Sequence, residues 1–278
     1  MLESRPLGSR GSFVPIIGQG TWNMERDRGN ALAALRRGLE LGLTHIDTAE
    51  MYGSGAVEEV VGSAIAGRRD EVFLVSKVMA QNAAYHATLR ACEGSLRRLG
   101  TDRLDLYLLH APSSHPFEET ARAMADLMKA GKIRAFGVSN FDSGRLDRAV
   151  AVAGPGTVAC NQVCYHLKRR WIEHDLLPRC LRHGIAVVGY SPFANGGFPA
   201  DNPVLEGIAR AHGATPRQVA LRFLVRQPGV FTIPKSARVT HIEEIAATAN
   251  LELSTDDLDC LEAAFPLGAI GPATPRRM

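Results

Sequence analysis

Polar side chains able to do chemistry stand at or just past the ends of short apolar runs: Asp47, Lys77, His110, Ser139-Asn140, Tyr190 and Lys235, with Tyr52 five residues after Asp47. A carboxylate, an ammonium, an imidazole and a phenol are groups that transfer protons or stabilise developing charge. A phenol is a weak acid near neutrality, with a reference pKa of about 10. A nearby ammonium favours the phenolate and so strengthens the phenol as an acid. A carboxylate can keep that ammonium charged and in place, and a neutral imidazole can orient an oxygen beside the phenol. The set suits proton delivery to an oxygen that gains negative charge; a lysine in such a set also suits Schiff-base chemistry. Singly, each residue has an ordinary structural use, as a turn aspartate, a packed loop tyrosine, a solvated strand-end lysine or a core histidine.

Residues so spread along a chain meet only if its elements bring them to one place. Short β-rich runs recur at residues 15–18, 44–47, 72–77, 104–110, 133–139, 157–163, 185–190 and 230–233, with helical periodicity between them. Leu32, Leu35, Leu39 and Leu43 form an i, i+3/i+4 stripe with Gly42 near the helix end, and Leu89, Cys92, Leu96 and Leu99 form another. Pro116 can open a helix that Ala130-Gly131 closes. Eight such alternations indicate a parallel α/β architecture, which open doubly wound sheets and closed barrels share. No linker or composition break divides the chain, which favours one closed unit over residues 1–278. Polar residues at strand ends favour the (β/α)8 TIM barrel, whose active site is built there. The weakly periodic segment 191–202 reads as a long loop with a functional role. Gly18-Gln19-Gly20 lacks the third glycine of a dinucleotide fingerprint, since Asn23 stands in its place.

Fragments along the chain resemble the aldo-keto reductases, particularly short bacterial members. They are Gly18-Gln19-Gly20-Thr21-Trp22, Ile46-Asp47-Thr48-Ala49-Glu50-Met51-Tyr52-Gly53, and the runs that end in Lys77 and His110. Gly131-Lys132-Ile133-Arg134, Gly137-Val138-Ser139-Asn140, Asn161-Gln162, Tyr190-Ser191-Pro192 and Ile233-Pro234-Lys235-Ser236 follow in the family's order. The resemblance implies an NADP-dependent oxidoreductase that reduces aldehydes or ketones, with small aldehydes or α-dicarbonyls as substrates. It implies a catalytic tetrad of Asp47, Tyr52, Lys77 and His110, with Tyr52 as proton donor.

The resemblance also implies how NADP(H) is held. Ser139, Asn140 and Gln162 would bond the nicotinamide carboxamide, Tyr190 would stack on its ring, and Ser191 would face the pyrophosphate. Lys235, Ser236 and Arg238 would meet the adenosine 2′-phosphate, and Gly20, Thr21, Trp22 and Glu244 complete the expected contacts. Trp22, Tyr52, His110 and Ala111 would form the substrate pocket. The chain departs from the family where Ala111 replaces a tryptophan common after the histidine, which enlarges one side of the pocket. Ile245 stands where an asparagine often faces adenine, and His241 where arginine is frequent; both bear on adenine affinity and NADPH preference. A short, Pro-rich tail at 268–278 offers little of the substrate-sorting loop of longer members.

Two other functions compete with this one. A cofactor-binding regulatory subunit has no need of all four tetrad residues. An aldolase or isomerase using Lys77 leaves Tyr52, Ser139-Asn140, Gln162 and the Lys235 motif without a role. Composition narrows the partners: 45% hydrophobic and 22% charged residues argue against disorder, and a net charge of +3 implies no nucleic-acid or membrane partner. The first residues, Met1 to Pro6, lack the apolar core of a signal peptide, and five cysteines without framework spacing suit a reducing compartment. A cytoplasmic location is therefore expected. Cys160 and Cys164 have no second Cys or His pair to complete a metal site, so no metal is expected.

Overall fold

The computed structural model describes residues 3–9 and 11–269. In chain order its strands and α-helices are β1 (Ser4–Leu7), β2 (Ser12–Pro15), β3 (Gln19–Gly20), α1 (Arg28–Glu40), β4 (His45–Asp47), α2 (Ala56–Ile65), β5 (Phe73–Val78), α3 (Tyr85–Leu99), β6 (Leu104–Leu109) and α4 (Phe117–Lys129). There follow β7 (Ile133–Ser139), α5 (Ser143–Ala153), β8 (Val158–Cys164), α6 (Leu176–Arg182), β9 (Ala186–Tyr190), α7 (Pro203–Ala211), α8 (Pro216–Leu224), β10 (Val230–Ile233), α9 (Val239–Ala247) and α10 (Thr255–Ala264). Strands β3 to β10 form one parallel sheet in sequential order. Bridges Ile17↔Thr232 and Gly20↔Lys235 join its first and last strands, which makes it a (β/α)8 barrel.

The helical stripes fold as their spacing predicts. Leu35, Leu39 and Leu43 are buried, Leu32 partly so, and Gly42 ends α1 in the left-handed region at φ 87° while Leu43 N–H returns to Gly38 O. On α3, Cys92, Leu96 and Leu99 are buried, each leucine contributing about 1.5–3 kcal/mol. Pro216 opens α8 behind a Thr215–Gln218 capping box.

The first barrel strand departs from its sequence reading. Residues 15–18 are not a regular strand: Pro15 belongs to β2, and only Ile17 bridges the sheet before β3 begins at Gln19. Proline has no N–H for a ladder, and the neighbouring backbone crowds this edge. A Cβ at Gly20 would meet Ile233 O at 2.7 Å, and one at Gly18 would meet His45 O at 2.7 Å. The antiparallel β1–β2 hairpin, absent from the sequence reading, covers the N-terminal end of the barrel. Arg5 bonds Val225 O and Gln227 O just before β10, while Leu7 and Val14 pack with Ala159 and Ala186. The C-terminal tail expected at 268–278 lies, beyond residue 269, outside the described residues. No helix among the described residues is long and apolar enough to cross a membrane.

Candidate active site

Asp47 closes β4 and Lys77 lies one residue before the end of the adjacent β5. Both are buried, and Lys77 Nζ meets Asp47 Oδ1 at 2.5 Å. An ammonium has three N–H donors. The other two reach Thr48 O at 2.8 Å and the Tyr52 hydroxyl at 3.4 Å, so the cation is fully partnered. Burial alone would lower the Lys77 pKa, but the Asp47 carboxylate and Tyr52 outweigh it and the net shift is upward. Lys77 is therefore charged. A buried ion pair is stable only when its remaining lone pairs are satisfied. Gln162 Nε2 on β8 donates to Asp47 Oδ2 at 2.7 Å, and Thr21 Oγ1 donates to Asp47 O at 2.9 Å.

Tyr52 begins a short helical turn after β4. Gly53 and Ser54 follow in the left-handed region at φ 54° and 52°, and a Cβ on Gly53 would lie 2.8 Å from Glu25 Cγ. Burial raises the Tyr52 phenol pKa, and the Lys77 ammonium opposes that shift. Lysine thus acts in the direction expected from the sequence, but burial and the Asp47 charge leave the net shift upward. His110 directly follows β6, with its N–H bonded to Val78 O, and its ring stands edge-on to Tyr52 at 5.8 Å between centroids. Burial, reinforced by the Lys77 charge, lowers the His110 pKa to about 3. Its imidazole is neutral near pH 7.

These residues open onto a cavity of about 480 Å³ at the C-terminal ends of the strands. Asp47, Tyr52 and His110 line it together with Gly20, Thr21, Trp22, Ser139, Asn140, Gln162, Tyr190, Ser191 and Lys235. Asn140, left-handed at φ 62°, is locked by three contacts: its Nδ2 donates to His110 O and Ser139 Oγ, and its Oδ1 accepts from the Tyr190 hydroxyl at 2.8 Å. Ser139 Oγ donates to Gln162 O. The nicotinamide cofactor implied by the resemblance fits this donor set. Hydroxyl and amide groups sit beside Tyr52 and His110, Tyr190 adds an aromatic ring, and Lys235 adds a cation. Ser191, Ala194, Asn195 and Gly196 all take positive φ, a backbone form that builds anion-binding concavities.

Other expected residues stand apart from the cavity wall. Ser236 Oγ accepts the Arg238 N–H at 3.0 Å and so organises the start of α9, where Arg238 is exposed. Glu244 accepts from Thr215 Oγ1 at 2.6 Å and its carbonyl from Gln218, which ties α9 to α8. Ile245 is buried in the core, while His241 is exposed. Ala111, half-buried directly after His110, does not line the cavity either. Asn23, Met51, Phe193 and Asn195 also line the cavity; none of them is an individual site residue in the sequence, which marks Phe193 and Asn195 only as members of the 191–202 loop. Asn23 and Met51 adjoin Trp22 and Tyr52, so adjacency was their only signal. Phe193 and Phe198 pack edge-to-face beside Arg217 of α8, a contact across the long loop that local patterning does not reveal.

The profile of the Aldo/keto reductase family matches residues 16–265. A methylglyoxal reductase of Escherichia coli, YeaE, is 48% identical over 260 residues, covering 91% of this chain and 92% of its own length. A glyoxal reductase of Bacillus subtilis is 38% identical over 265 residues, covering 94% and 93%. The crystal structure of an aldo/keto reductase from Klebsiella pneumoniae in complex with NADP and acetate is 43% identical, with a TM-score of 0.93 and 99% of each chain covered.

Proposed function

The chain belongs to the aldo/keto reductase family, and on that premise we propose that it reduces small aldehydes or α-dicarbonyls to alcohols with NADPH, Tyr52 supplying the proton. NADPH, when bound, supplies the hydride that converts the carbonyl carbon to an alcohol carbon. The carbonyl oxygen then gains negative charge, and the side chains act on that oxygen. Tyr52 delivers its phenolic proton to it, and neutral His110 orients it from the facing ring. Lys77, held charged by Asp47, stabilises the phenolate that Tyr52 leaves behind. Water then restores the phenol. Ser139, Asn140, Gln162 and Tyr190 would hold the nicotinamide end of the cofactor. Ser191 would meet its phosphates, and Lys235 with Arg238 the 2′-phosphate.

The observation that carries this reading is the single chain of contacts from Asp47 through Lys77 to a Tyr52 hydroxyl that opens, beside His110, into the cavity. The names of the Escherichia coli and Bacillus subtilis relatives support the α-dicarbonyl class. A panel of aldehydes, ketones and α-dicarbonyls, followed by loss of NADPH or NADH absorbance, tests it. Turnover of methylglyoxal or glyoxal faster with NADPH is expected; binding of NADPH without turnover of any carbonyl would overturn it.

A further inference from the structure

Glu50 lies between Asp47 and Tyr52 but does not line the cavity. Its N–H bonds Lys77 O at 3.3 Å, and its Oε1 accepts the Met79 N–H at 2.7 Å and the Asn82 side-chain amide at 3.0 Å. Asn82 O in turn accepts from Thr88 Oγ1 of α3 at 2.9 Å. The same short segment is gripped from its other side. Ser113 Oγ, three residues after His110, donates to Ala80 O at 2.7 Å and accepts the His115 N–H at 3.0 Å. Thr120 Oγ1 of α4 donates to Ala83 O at 2.7 Å. The 79–83 segment thus joins the turn that carries Tyr52 to the loop that follows His110.

We infer that Glu50 and Ser113 are positioning residues that fix the Tyr52–His110 separation through this bracket, an inference resting on Tyr52 and His110 being where the proton is delivered. Hydrogen bonds to an ionised carboxylate are stronger than neutral ones, and two of them converge on one oxygen of Glu50. Both ends of the bracket lie within three residues of a reacting group, while its own atoms stay outside the cavity. Relaxing it shifts the two rings relative to each other, and none of the residues that would bind cofactor is a member of the bracket. A displacement of about 1 Å arising away from the chemistry can lower a rate about 10²-fold.

The test compares Glu50→Ala, Glu50→Gln, Ser113→Ala and the Glu50→Ala/Ser113→Ala pair in the full chain. Each is assayed for kcat and KM with a small aldehyde, for NADPH affinity by fluorescence, and for melting temperature. Glu50→Ala should lose roughly ten- to a hundred-fold in kcat with NADPH affinity unchanged. Glu50→Gln should recover most of that loss, because its amide oxygen accepts the same two bonds. Ser113→Ala should fall in the same sense, and the pair should lose less than the product of the single losses. Parental kcat in folded Glu50→Ala and Ser113→Ala, a parallel loss of NADPH affinity, or no recovery with glutamine overturns the inference. Should Glu50→Ala not fold, Ser113→Ala decides between the same outcomes. Tyr52→Phe, assayed alongside, separates the two readings. Activity retained there removes the proton-donor role, whereas an inactive Tyr52→Phe beside parental bracket variants removes the bracket alone.

Discussion

Gln162 Nε2 donates to Asp47 Oδ2 over 2.7 Å, so the carboxylate that holds Lys77 is itself held from β8. Asp47, Lys77 and Gln162 should therefore act as a unit. Lys77→Met should cripple the chemical step, and adding Asp47→Asn should cost much less than the two single effects summed. Gln162→Leu, which frees one oxygen of Asp47, should lower kcat and should also be non-additive with Asp47→Asn. Steady-state kcat for the single and double variants is the measurement; fully additive losses would dissolve the unit.

Tyr52→Phe should nearly abolish carbonyl reduction, since losing a general acid typically costs about 10² to 10⁴ in rate. NADPH binding, followed by fluorescence, should persist because the hydroxyl's hydrogen-bond partner among the described residues is Lys77, which is none of the groups expected to hold the cofactor. A variant with near-parental kcat, with hydride transfer rate-limiting, would assign the proton to another group.

Buried His110 and His45 have folded-state pKa values lowered to about 3 and about 4, in each case chiefly by burial. Unfolded histidine titrates near 6.5, so between those limits the unfolded chain binds more protons than the folded one. Their contribution to stability is fully present above about pH 6.5 and is lost as pH falls toward the folded values. Each should tilt the unfolding free energy by up to about 1.4 kcal/mol per pH unit in that window. Urea unfolding at about pH 7 and about pH 5 checks this; equal stability at both would mean these imidazoles take up protons in the fold as readily as in the unfolded chain. The kcat profile should show no inflection near pH 6.5 attributable to His110.

NADPH should be preferred over NADH, with Lys235 as the main discriminating group. Lys235 lines the cavity, whereas Arg238, at the start of α9, does not. The 2′-phosphate is the only difference between the cofactors, and a charge-assisted bond to it is worth about 1.5–3 kcal/mol, roughly ten- to a hundred-fold. Dissociation constants for Lys235→Ala should rise for NADPH and hold nearly steady for NADH, with Arg238→Ala adding a smaller loss. Equal losses for both cofactors would give Lys235 a role in supporting the loop and none in reading the phosphate.

Ala111→Trp should narrow the pocket beside His110 and shift selectivity toward small or flat aldehydes. Ala111 is half-buried directly after His110 and does not itself line the cavity, so a larger side chain there tests whether the position faces it. The ratio of kcat/KM for a bulky and a small aldehyde is the readout. An unchanged ratio would place position 111 off the pocket.

Local patterning was enough for the parts of this protein that depend on local patterning. Short β-rich runs mark seven of the eight barrel strands, which are buried along nearly their whole length, and 3.6-residue spacing marks the leucine stripes of α1 and α3, because burial there follows from each segment's own residues. Polar residues at strand ends likewise reveal where a barrel builds its site. The β3 edge and the β1–β2 hairpin escaped this reading, since backbone crowding at Gly18 and Gly20 and docking beside Ala159 are relations to distant chain. The same holds for the site's partners. Gln162 and Asp47 bond across 115 positions, and nothing near either residue shows whether that amide faces a ligand or a carboxylate. Tertiary packing also set Glu244 against Thr215 and Ser236 at the start of α9, although their sequence context matched cofactor contacts. Hydrogen bonds act over about 3 Å. Sequence spacing therefore selects residues able to react, and only the closed barrel decides which of them come within that distance.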